Sequence, residues 1–203
     1  MSVVERFKTT RSTISDRFLR DLRSLRISVV DRCNLRCRYC MPEDDYSWLS
    51  KHDLLTNQEI VHLVESFSSL GVDRIRITGG EPLLRGDLTE LVASLSENRS
   101  IRDIALTTNA TRLAQYAEGL HAAGLQRITV SLDTLESNKM KFMTGRQVMA
   151  KTRKGLEAAA STGFESLKIN TVVIRGFNDD ELCELFLYAK SLGAEIRFIE
   201  YMD

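Results

Sequence analysis

Three of the four cysteines in this 203-residue chain fall within eight residues, at Cys33, Cys37 and Cys40 of the stretch DRCNLRCRYCMP. Clustered thiolates bind zinc or iron–sulfur clusters. A structural zinc site takes four ligands, and only His52 or Cys183 could add the fourth. His52 lies in a plain loop stretch, and Cys183 sits beside an apolar helical stripe, where it suits a core edge. Ferredoxin-like runs also use four cysteines per cluster. Three thiolates on a four-iron cluster leave one iron with no protein ligand, and that iron can take a substrate or cofactor. A cysteine-rich zinc-binding interaction module remains the alternative at this point.

A second stretch with chemical potential is Thr78-Gly79-Gly80-Glu81-Pro82. Residues without Cβ let a ligand approach the backbone closely. The same stretch also fits a turn in which Pro82 opens a helix. It is not a dinucleotide fingerprint, and the chain has no G-x-x-x-x-G-K-[ST] loop.

These residues must be held by regular elements. The apolar pattern switches between period two and period 3.6. Strands are expected at Arg26–Val30, Val72–Thr78, Ile104–Thr108, Arg127–Asp133, Leu167–Ile174 and Glu195–Ile199. Five amphipathic helices are expected between them. The first opens on a capping box, Thr56 to Glu59. The others begin at Asp87, run from Thr111 to Gly124, run from about Val148 to Gly163, and begin at Asn178. Met41–Leu55 and Thr134–Gln147 are expected to be long loops, which often carry function. Alternating strands and helices predict an α/β fold with a parallel sheet. Cys33 then follows the first strand directly, where such folds place their sites.

Parallel strands covered on both faces are apolar on both. These are not. Ile75 and Ile77 oppose Arg76 and Thr78, and Leu167 and Ile169 oppose Lys168 and Asn170. Strict alternation therefore predicts a greasy face under the helices. It also predicts a polar, basic face lining an open pocket for an anionic ligand. The chain as a whole carries 28 basic and 28 acidic residues, so net charge draws it to neither nucleic acid nor membrane. No apolar run reaches the ~18 residues of a membrane span. The N-terminus lacks a secretory signal pattern. A reducing cytoplasm is the expected location.

The Cys33-x-x-x-Cys37-x-x-Cys40 spacing, with Tyr39 before the last cysteine, resembles the motif of the radical S-adenosylmethionine (SAM) superfamily. Gly79-Gly80-Glu81-Pro82 resembles that superfamily's second motif, whose backbone receives the SAM amino group. Further segments narrow the resemblance to the GTP 3′,8-cyclase family of molybdenum cofactor biosynthesis. They are Leu106–Asn109, Val130–Asp133, Lys168–Asn170, Arg175–Asn178 and Arg197–Asp203. The resemblance implies a partial (β/α)6 TIM-like barrel over residues 17–203, behind a short extension at 1–16. It implies one [4Fe-4S] cluster on Cys33, Cys37 and Cys40, and SAM contacts from Tyr39, Gly80, Ser131 and Met202. It implies GTP contacts from Arg26, Arg76, Thr107 and Lys168. The implied reaction begins with a 5′-deoxyadenosyl radical taking hydrogen from C3′ of GTP, after which the sugar radical closes on C8 of guanine. An electron donor such as a flavodoxin or ferredoxin is implied, and a homodimer is compatible.

There are two departures from the family pattern. Ala110 stands where the family has glycine, at a cost of ~1 kcal/mol if the turn needs positive φ. The family also carries a C-terminal domain with a second [4Fe-4S] cluster, absent from these residues, so a fragment of a longer protein is expected. A radical SAM enzyme acting on a peptide or another small molecule is the competing enzymatic reading.

Overall fold

The computed structural model describes residues 14–43 and 45–201. Its frame is one six-stranded sheet in sequential order: β1 (Ser24–Ser28), β2 (Arg74–Thr78), β3 (Asp103–Thr108), β4 (Arg127–Ser131), β5 (Ser166–Val173) and β6 (Glu195–Glu200). Every neighbouring pair is parallel. Sequential parallel strands need a crossover after each one. The crossovers carry α1 (Asn57–Ser69), α2 (Leu88–Ser96), α3 (Ala117–Ala122), α4 (Ser137–Thr144), α5 (Met149–Thr162) and α6 (Leu182–Ser191). This is the wall of a partial (β/α) barrel.

Local chemistry sets the helix ends. At α1 both halves of the capping box form: the Glu59 amide donates to Thr56 Oγ1 at 3.3 Å, and the Thr56 amide donates to Glu59 Oε2 at 2.8 Å. Left-handed Gly163 closes α5, a conformation that costs glycine least. The apolar alternates of the strands, Ile75, Ile77, Leu106, Ile128, Val130 and Ile169, are fully buried. They pack with Leu88, Leu91, Leu120, Leu156 and Leu185 from the helices in one core.

Two helix expectations need correction. The segment from Thr111 is not one helix: a 3-10 turn at Leu113–Gln115 precedes the short α3. Here α5 lies so close that a Cβ on Gly155 would stand 2.2 Å from the Ala110 carbonyl oxygen and 3.1 Å from Leu113 Cβ. The stretch Thr134–Gln147 is not all loop, because it contains α4. Its buried side is only Met140, Met143 and Thr144, too thin a stripe to stand out among Asn138, Lys139 and Lys141.

Candidate functional site

The cysteine loop leaves the carboxyl end of β1 and is held on both sides by backbone bonds. On one side the β1–β2 ladder continues past the strands. The Val29 amide donates to the Thr78 carbonyl at 2.9 Å, Gly80 to Val30 at 2.7 Å, and Glu81 to Arg32 at 2.8 Å. On the other side the Arg36 amide donates to the Thr144 carbonyl at 2.8 Å, and Arg38 to Met143 at 3.0 Å, at the end of α4. Between these anchors Leu35 is buried, and the amides of Cys40 and Met41 close a turn on the Cys37 carbonyl.

The glycine pair also has a packing role within the chain. A Cβ on Gly80 would lie 2.2 Å from the Arg32 carbonyl oxygen, and one on Gly79 would lie 2.5 Å from that of Val30. The bare backbone admits the loop that carries the cysteines.

All four cysteines are free thiols; Cys33 and Cys37 are half-buried and Cys40 is exposed. Burial pushes the Cys37 thiol up to about 12, with Asp133, Cys33 and Cys40 adding repulsion. Burial also raises Cys33, against the opposing charge of Arg36. Among the described residues no group of three His, Cys, Asp or Glu converges as the ligands of one metal ion would. A four-iron cluster needs less convergence, because each thiolate takes a different iron. Three free thiols on one anchored, half-buried loop fit that group.

Buried carboxylates brace the loop, and the sequence reading gave them no role. Glu81, 1% exposed, accepts from Thr108 Oγ1 at 2.6 Å and from the amides of Asn109 at 2.8 Å and Leu83 at 3.1 Å. It joins the ends of β2 and β3. Asp133, 6% exposed, accepts from Tyr39 Oη at 2.7 Å and from the Val172 amide at 2.8 Å. Burial raises both acids from their ordinary values, against these bonds. Asn109 donates through Nδ2 to Asn34 Oδ1 at 3.0 Å and lies 3.9 Å from Cys33 Sγ. The available signal was position: each of these residues follows a strand end within a polar motif.

Arg26, Arg76, Thr107, Ser131 and Lys168 all fall on the less buried alternates of their strands. Arg26 pairs in register with Arg76, Thr107 with Thr129, and Thr129 with Lys168. The polar face is therefore real, but it is not simply cationic. Arg76 and Arg127 share the buried carboxylate of Asp103 at 3.0 and 2.8 Å. Lys168 and Arg197 share Glu195 at 2.7 Å each. Arg26 has no ion-pair partner among the described residues. Met202 lies outside the described residues.

Comparison with known proteins agrees with this geometry. The chain is 51% identical over 197 residues to GTP 3′,8-cyclase 1 of Mycobacterium tuberculosis, covering 95% of itself and 55% of that protein. It is 47% identical over 190 residues to GTP 3′,8-cyclase of Aquifex aeolicus, covering 93% of itself and 59% of that protein. It thus spans little more than half the length of these relatives. In fold it is similar to Streptococcus suis SuiB bound to S-adenosylmethionine, with a TM-score of 0.75, 20% identity, and coverage of 89% of this chain and 41% of that one. It is likewise similar to anSMEcpe with bound AdoMet, with a TM-score of 0.71, 20% identity, and coverage of 89% and 50%. A family model described as the radical SAM superfamily matches residues 27–189, from the first strand and its cysteine loop to the last helix. With that match, the sequential parallel sheet and the anchored three-cysteine loop have one common explanation: the chain belongs to the radical SAM superfamily.

Proposed function

We propose that this chain forms the SAM-cleaving part of a GTP 3′,8-cyclase and takes part in the first step of molybdenum cofactor assembly. The observation that carries this reading is the placement of the cysteine loop beside a polar sheet face. That face bears Arg26, Arg76, Thr107 and Lys168, in a chain half identical to proteins named for that activity.

In this reading Cys33, Cys37 and Cys40 hold a [4Fe-4S] cluster, and Tyr39, Gly80, Ser131 and Met202 contact SAM. When bound, the cluster and SAM supply the one-electron chemistry that makes a 5′-deoxyadenosyl radical. The protein's part is binding, orientation and exclusion of water. Burial keeps the Cys37 thiol protonated at neutral pH, so loading replaces that proton with iron and affinity rises with pH. Burial raises the Cys33 thiol as well, and Arg36 opposes that rise in part, so its charge favours the thiolate.

GTP must compete for cations that already have carboxylate partners. Asp103 is 4% exposed, whereas the Glu195 side chain is 51% exposed. Glu195 can swing into water when a phosphate takes Lys168; Asp103 cannot, and would be left buried with Arg127 alone. Lys168 and Arg26 are therefore the groups that a triphosphate engages most easily, and Arg76 serves while still bound to Asp103. The electron donor is a flavodoxin or ferredoxin, the setting is the cytoplasm, and a homodimer is compatible. Among the described residues no helix is long and apolar enough to cross a membrane.

The test is anaerobic reconstitution followed by spectroscopy and nucleotide binding. About four irons per chain, a spectrum that changes when SAM is added, and GTP binding weakened by Lys168→Ala are the expected results. A colourless zinc protein indifferent to SAM would refute the superfamily chemistry. A brown, SAM-responsive protein that ignores GTP and is protected by a peptide would move the substrate assignment to the competing reading.

A further inference from the structure

The outer rim of the cysteine loop is cationic, although the chain carries no net charge. Two open cavities flank the loop. One, of about 780 Å³, is lined by Arg36, Arg38 and Lys141 together with Phe142. The other, of about 520 Å³, is lined by Asn34 of the loop and by Arg112, Lys151 and Lys154. No carboxylate lines either one. Among the described residues none of these six cations forms an ion pair, in contrast with Arg76 and Lys168 on the inner face.

The two arginines of the first cavity are ordered in advance. The Arg38 guanidinium lies 3.8 Å from the Phe142 ring centroid, and its Nε donates to the Phe142 carbonyl at 3.1 Å. Arg36 stands 5.4 Å from the ring centroids of Tyr46 and Trp48 and donates to the carbonyls of Cys33 and Leu35 at 2.9 Å each. Side chains already held in place lose less entropy when a partner docks. Phe142, 51% exposed beside them, adds an apolar anchor of the kind that interfaces use. Arg36 and Arg38 alternate with the cysteines in the chain, so a partner seated on them stands against the backbone that carries the thiols.

We propose that this rim is the docking surface for an acidic one-electron carrier protein. The proposal rests on the cluster reading of Cys33, Cys37 and Cys40 and adds where the electron enters. With flavodoxin as carrier, the anionic flavin hydroquinone gives up one electron and becomes the neutral semiquinone. The cluster held by the cysteines gains that electron, its charge falling by one. No bond forms or breaks, and no proton moves in this transfer. Opposite charge on two protein surfaces speeds encounter by about 10- to 1000-fold at low salt and loses its effect as salt rises.

The test is anaerobic stopped-flow reduction of the reconstituted protein by flavodoxin hydroquinone over a salt series, with dithionite as a small reductant that needs no docking. Wild-type rates with flavodoxin should fall as salt rises. Lys141→Glu combined with Lys151→Glu leaves the cysteine loop untouched and should slow flavodoxin reduction at low salt by about tenfold or more. Dithionite reduction should be unchanged, and Arg99→Glu, exposed outside both cavities, should behave as wild type. If the double reversal does not fold, Lys141→Gln with Lys151→Gln should still slow the flavodoxin reaction measurably. Unchanged flavodoxin rates in these variants, or wild-type rates indifferent to salt, overturn the proposal. Unchanged rates accompanied by lost GTP binding would assign the rim to a nucleotide and overturn it as well. A wild-type protein that builds no cluster fails the underlying reading instead, and its missing absorbance shows this before any carrier is added.

Discussion

Tyr39 Oη donates to Asp133 Oδ2 at 2.7 Å, across 94 positions of the chain. This bond ties the middle of the cysteine loop to the carboxyl end of β4. Asp133 also accepts from the Val172 amide of β5, and its own carbonyl accepts from Asn178 Nδ2 at 2.7 Å. The loop is thus braced by the far half of the sheet as well as by its neighbour β2.

Tyr39→Phe removes one donor and leaves a buried carboxylate oxygen without a partner. Such a loss costs about 1–3 kcal/mol. Urea unfolding should show it as a lower midpoint with an unchanged slope, and a chelator should strip iron from the reconstituted variant faster. Wild-type stability together with wild-type iron retention would show that the brace does not matter.

Gly80→Ala brings a methyl to within 2.2 Å of the Arg32 carbonyl oxygen. Backbone on both sides cannot yield cheaply, and overpacking of this kind costs about 1–3 kcal/mol. The shifted lead-in should also cut iron uptake in reconstitution well below that of the wild type. Gly86→Ala is the control: an added Cβ there meets nothing within 4 Å, and the expected effect is zero or a gain of about 0.4–1 kcal/mol from a less flexible unfolded chain.

Glu81 gives a pH prediction. Burial raises its folded pKa above the ordinary 4.5. The folded state therefore binds more protons than the unfolded state between 4.5 and that raised value. Its contribution is fully present below 4.5 and is lost as pH rises through the folded value. Glu81→Gln has no such titration and also loses acceptor capacity. Its stability deficit against wild type should grow as pH is lowered from neutrality towards 4.5 and then level off. Denaturant unfolding at a series of pH values measures this, and a deficit that shrank on acidification would contradict it.

Ala110 occupies the left-handed region at φ 60° and is fully buried. Left-handed backbone costs alanine about 1–2 kcal/mol. Its buried methyl returns about 0.8 kcal/mol, and glycine would bring a more flexible unfolded chain, worth about 0.4–1 kcal/mol. These terms nearly cancel, so Ala110→Gly should leave the unfolding free energy within about 0.5 kcal/mol of wild type. A larger gain would show that strain dominates; a larger loss would show that packing does.

Much of this protein was legible before the fold was known, wherever the chemistry is local. The Thr56–Glu59 capping box needs only residues three apart. The period-two alternation that separates Ile75 and Ile77 from Arg76 follows from the geometry of a strand. The spacing that puts Cys33, Cys37 and Cys40 on one loop is read from eight consecutive residues. Even the strain at Ala110 follows from one residue standing where glycine was expected. What the tertiary structure decided depends on partners far apart in sequence. Glu81 meets Asn109, Arg76 gives its charge to Asp103, and Lys168 gives its charge to Glu195, because parallel pairing sets neighbouring strands side by side; Asp133 meets Tyr39 because the cysteine loop reaches the carboxyl end of β4. No window of the chain contains both members of such a pair. For the same reason the six cations of the two cavities beside the cysteine loop, drawn from four separate stretches and without an ion pair among the described residues, come near that loop only when the sheet is assembled.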